Sequence, residues 1–138
     1  MRPHPYLRAY MAGITIPTVF LLVAMTAFTF ARYVCNVPVP IERVIVFPMA
    51  VVPNMWGVWN VLWYVLRRRV SIGLFGAILP VLLGPLAYAV TRIVRFDIPF
   101  PSMAVAAPLF LLVVMTIYYL AWKYLVASLN RIVDIPRD

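Results

Sequence analysis

Glu42 and Asp97 are the two carboxylates best placed to act together, because both fall in or beside segments that end apolar runs. A convergent pair could do acid–base work at a membrane interface. The basic residues near them argue for a quieter role. Arg43 follows Glu42 directly and Arg95 lies close to Asp97, so local charge compensation accounts for both. With Arg32 and Arg92 they make a candidate external polar cluster.

Little else could react. The only histidine is His4 and the only cysteine is Cys35. Two such ligands cannot complete a zinc site, and one cysteine cannot form an intramolecular disulfide. Neither a glycine-rich phosphate loop nor a nucleophile motif occurs. No catalytic residue, metal or cofactor is expected, and an enzyme is the less favoured class.

The second candidate surface is aromatic. At 100° per residue, Trp56, Trp59, Asn60, Trp63 and Arg67 fall within about 100° of one another on a helix. Tyr118, Tyr119 and Trp122, with Met115, form a similar stripe further along the chain. Trp63, Tyr64, Trp122 and Tyr124 suit an interfacial aromatic belt. Trp56 and Trp59 do not, since Trp56 precedes Arg67 by roughly 16 Å of helix. Asn54 and Asn60 lie at similar depths, where an amide needs a partner. Two uses fit the set Asn54, Trp56, Trp59, Asn60, Trp63, Tyr118, Tyr119 and Trp122. One is a contact between helices or with another protein. The other is a pocket for an apolar or cationic ligand, such as a quinone or lipid.

Long apolar helices must carry these residues. The chain is 65% hydrophobic and 12% charged, against about a quarter charged in ordinary soluble domains. Four runs approach or exceed the ~20 residues needed to cross a hydrocarbon core. They are roughly Ala9 to Ala31, Val44 to Leu66, Val70 to Val90 and Met103 to Val126. The links between them are short, which predicts an all-α, up-down-up-down bundle of four transmembrane helices in a single domain, residues 1–138. None of the runs has a central ionisable residue, which argues against a pump working through a buried carboxylate. Each contains proline: Pro17, then Pro48 and Pro53, then Pro80 and Pro85, then Pro108. Ordinary kinks in packed helices account for them. Thr15, Thr18, Thr26 and Thr29 share a face of the first run and can bond back to their own helix.

The net charge of +8 does not call for a nucleic acid, because the basic residues punctuate the apolar runs. Arg2, Arg8, Arg67, Arg68, Arg69, Lys123, Arg131 and Arg137 fall on one side of the expected membrane. Arg32, Arg43, Arg92 and Arg95 fall on the other. This excess places both termini in the cytoplasm. The run Arg67, Arg68 and Arg69 is then a candidate contact for anionic lipid. A bacterial inner membrane is the expected location.

The chain also resembles itself. Arg32 to Pro40 and Arg92 to Pro101 both carry a β-branched residue before Pro-x-Pro, preceded by Asn36 in one and Asp97 in the other. At a spacing of about 60, Gly13 matches Gly73, Ala27 matches Ala87, Phe28 matches Tyr88, Pro48 matches Pro108, Met55 matches Met115, and Tyr64 matches Tyr124. Trp63 matches Trp122 only after a slip of one residue. Two copies of a helical hairpin are expected, about 8–69 and 70–131, in a parallel repeat.

The expected function is that of a small accessory or scaffold subunit of a membrane complex. Its partners would be membrane lipids and other membrane chains or copies of itself. A dimeric transporter or channel for a small or hydrophobic solute is the alternative, and an interfacial lipid-modifying enzyme comes third.

Overall fold

The structure, a computed structural model, describes residues 4–38, 41, 49–93 and 106–135. Among them every regular element is helical. α1 is Pro5–Tyr33, α2 is Ala50–Leu66 and α3 is Ile72–Ile93. α4 is Ala106–Leu120. It runs through a π-helical turn, Ala121–Val126, into α5, Ala127–Ile132.

α1 begins where backbone chemistry allows. His4 takes a left-handed conformation, φ 62°, and its carbonyl accepts from the Arg8 N–H at 3.2 Å. Pro5 follows at the first helical position, where a missing N–H costs nothing. The helix ends past Arg32, a cation near the negative end of the dipole. Asn36 then turns the chain at φ 54°, and the Val37 N–H donates to the Ala31 carbonyl at 3.0 Å. Asparagine tolerates this conformation better than most residues.

α1 is 29 residues long, about 43 Å at the α-helical rise. It and the stretch Pro108–Ile132 are long and apolar enough to cross a membrane, and only 11% of each apolar window is buried. The core helix of a water-soluble domain would be mostly buried. Phe20, Val23, Leu109, Phe110 and Leu112 lie exposed along these two helices. The apolar part of α3, Ile72–Ala87, is shorter, and α2 has 17 residues.

Helix ends differ from the hydropathy reading in a systematic way. The fourth run was expected to stop near Val126, yet helix continues to Ile132. Charges such as Arg131 end an apolar run without ending backbone hydrogen bonding. The real stop is a Schellman turn. Asp134 sits at φ 55° and its N–H donates to the Arg131 carbonyl at 3.0 Å. The Ile135 N–H donates to Asn130 at 2.8 Å, and the Ile135 side chain is buried. A β-branched residue is strained at positive φ. Asp134→Val is therefore expected to lower stability by about 1–2 kcal/mol, while Asp134→Gly costs nothing. Melting curves of both variants in detergent check this, and equal midpoints would contradict the assignment.

The chain divides into two compact units, Met1–Val61 and Leu62–Asp138, with the boundary inside α2. The first holds α1 and most of α2. The second holds the end of α2 with α3, α4, the π turn and α5. The second is built on α3 packed against α4 and the π turn.

Candidate functional site

In the first unit, α1 and α2 cross at glycine. Ala9, Tyr10, Gly13 and Ile14 on α1 face Asn54, Trp56, Gly57 and Asn60 on α2. A Cβ built on Gly13 would stand 2.6 Å from the Trp56 carbonyl oxygen, 2.8 Å from the Gly57 Cα and 2.9 Å from the Asn60 Cβ. One on Gly57 would meet the Tyr10 ring at 2.5 Å and Ile14 at 2.6 Å. Only hydrogen at both positions lets the backbones approach this closely.

Asn60 uses that approach. It is 0% exposed, and its side-chain amide donates to the Ala9 carbonyl at 2.7 Å. Trp56 is buried one turn away. Asn54 is exposed. Its side-chain oxygen accepts from the Tyr10 hydroxyl at 2.6 Å, and its amide donates back to Ala50 at 2.9 Å. Trp59 is half-buried. The stripe therefore divides within α2, with Trp56 and Asn60 inward and Trp59 at the margin.

Thr15, Thr26 and Thr29 on α1 donate to Met11, Leu22 and Met25, each four residues back, at 2.6, 2.9 and 2.8 Å. Their hydroxyls are thus bonded within α1 itself.

In the second unit, Trp63 is buried, and its indole N–H donates to the Val70 carbonyl at 3.2 Å. This bond pins the end of α2 to the start of the next segment, across Arg67, Arg68 and Arg69. The Arg67 guanidinium lies 4.4 Å over the Tyr64 ring and donates to the Tyr64 carbonyl at 3.3 Å. Arg68 and Arg69 are exposed. Trp122 is 0% exposed and fills the space left by Gly76. Tyr119 faces Gly73, and Tyr118 is half-buried beside it in sequence.

Glu42 and Asp97 lie outside the described residues. So do Arg43, Arg95 and both Pro-x-Pro ends at Pro40 and Pro101. Arg92 is in α3, with its side chain outside the description. Arg32 sits in the last turn of α1, 5.8 Å from the Tyr33 ring. Cys35 is exposed and free. Among the described residues no three His, Cys, Asp or Glu side chains gather as a metal site would require.

Two features escaped the sequence reading. Gly57 and Gly76 each accept a large side chain from a helix far away in sequence, and nothing local marks either one. The π turn left one trace. The Trp63–Trp122 spacing is 59, one short of the 60 between Tyr64 and Tyr124, and that slip falls where the turn lies.

No family model, curated protein or solved structure matches this chain.

Proposed function

We propose that this chain is a four-span, up-down-up-down membrane protein that serves as a non-enzymatic accessory or scaffold subunit of a membrane complex. One observation carries the reading. The deep polar and aromatic side chains, Asn60 above all, are engaged in packing the helices, while the outward faces of α1 and α4 are apolar. Such a molecule offers surface rather than reactive groups. Apolar helix faces associate through shape and small residues, without a hydrophobic drive between helices.

Tandem duplication of a helical hairpin belongs to the same proposal. Gly13 and Gly73 match at a spacing of 60, and each faces a neighbouring helix closely. Gly13 meets Asn60 and Gly73 meets Tyr119. Those two partners are themselves equivalent at the 59-residue spacing that aligns Trp63 with Trp122. Under this reading both termini face the cytoplasm of a bacterial inner membrane, following the basic residues. Arg67, Arg68 and Arg69 then face anionic headgroups.

The test is mild extraction from native membranes, followed by mass spectrometry of intact particles. A second protein at fixed stoichiometry is expected. A monodisperse chain with no bound protein would remove the subunit reading.

A further inference from the structure

We infer that Tyr119, Lys123 and Tyr124 form a binding site for the phosphate group of an anionic phospholipid, at the junction of α4 and the π turn. The inference rests on the membrane-spanning reading of α4. It concerns a different cluster from the arginine run.

Three side chains supply the donors. Lys123 is exposed, and its Nζ lies 5.4 Å from the Tyr119 ring centre and 5.5 Å from that of Tyr124. An ammonium between two phenols presents N–H and O–H donors together, with positive charge, which suits a phosphate oxygen. The rings add amphipathic surface of the kind found at headgroup level.

Spacing makes the arrangement. Tyr119 precedes Lys123 by four residues, about one helical turn, so the two share a face. Tyr124 follows Lys123 directly inside the π turn, Ala121–Val126. At the spacing of 60 that pairs Tyr64 with Tyr124, Trp63 stands where Lys123 does, so the cation is present at one of the two places only.

Depth fits a lipid headgroup. A Cβ on Gly73 would lie 3.3 Å from the Lys123 Cβ. Gly73 is the second residue of α3 and follows Arg69 by four residues across a short non-helical link. Lys123 thus stands near the level of the arginine run, and its flexible stem brings the amine to the interface.

The experiment separates a built site from diffuse attraction. Full-length protein is placed in nanodiscs of equal parts phosphatidylglycerol and phosphatidylethanolamine. Lipids that stay bound after release are counted by native mass spectrometry. Tyr119→Phe/Tyr124→Phe keeps the charge and both rings and removes only the hydroxyls. It is expected to lower phosphatidylglycerol enrichment about 3- to 5-fold. Lys123→Gln should lower it at least 10-fold, beyond the factor of about five that one cation contributes to general attraction. Arg131→Gln, which removes an exposed cation on α5, should fall within that factor. Wild-type enrichment in the Tyr double variant, or equal losses in Lys123→Gln and Arg131→Gln, would overturn the site. Displacement of the lipid by excess inorganic phosphate would also overturn it, in favour of a soluble anion. If wild type does not enter nanodiscs at all, the spanning reading itself fails, which is a separate result.

Discussion

Gly76→Val is expected to lower stability by about 3 kcal/mol, the upper end of ordinary overpacking. A Cβ at Gly76 would run into the Cβ and Cγ of Trp122. Those atoms are close to the Trp122 backbone, so a change of rotamer cannot clear them. Trp122 is fully buried and has nowhere to go. The opposite change, Trp122→Ala, leaves a cavity and is expected to cost about 3–5 kcal/mol. The two sites are in contact, so their effects should not add. Gly76→Val combined with Trp122→Ala, which removes the Cγ and the ring, should recover at least 1 kcal/mol relative to the sum of the single variants. Thermal unfolding in detergent, followed by near-ultraviolet signal, measures all of them. Strict additivity would mean the two residues do not meet.

Gly13→Ala is expected to cost about 2–3 kcal/mol, although the change adds only one methyl group. The obstruction is the backbone of α2, namely the Trp56 carbonyl and the Gly57 Cα. Backbone cannot rotate aside, so α1 and α2 must separate. Separation also stretches the 2.7 Å bond from Asn60 to Ala9. The matching change at Gly73 should be mild, below about 1 kcal/mol. There the nearest atoms are the Cε2 and Cδ2 of Tyr119, at 2.8 and 3.1 Å. A tyrosine ring can tilt by a few tenths of an ångström. Replacing Gly by Ala inside a helix also returns some stability through propensity. Amide hydrogen exchange along α1 and α3 checks the contrast. Equal destabilisation at the two glycines would show that the obstruction at Gly13 is not backbone.

What could be read from the sequence followed from hydropathy and from 100° arithmetic. Both depend only on residues near each other in the chain. The centres of all four helices were legible for that reason. The ends of α1 and α5 were not, because left-handed turns at His4, Asn36 and Asp134 set or follow them, and a fall in hydropathy does not. The Trp56–Asn60 stripe was legible as a stripe. Its division into buried Trp56 and half-buried Trp59 was not, since that depends on where α1 lies. Ala9 could not have been chosen as the partner of Asn60 without pairing two helices. Gly76 had the same difficulty, although the nearby Gly73-x-x-x-Ala77 spacing pointed to close contact somewhere on α3.

The π turn also bears on how such a chain can change. Inserting one residue into a helix ordinarily rotates everything after it by 100°. Val126, Ala127 and Asn130 would then leave their buried positions. A bulge of one turn absorbs the extra residue locally, like a slack link in a belt, and the face beyond it stays in phase. A residue gained or lost at this turn leaves the packing of α5 unchanged. Under the tandem reading, this gives two copies that began alike a way to diverge at the membrane surface while their interiors stay interchangeable.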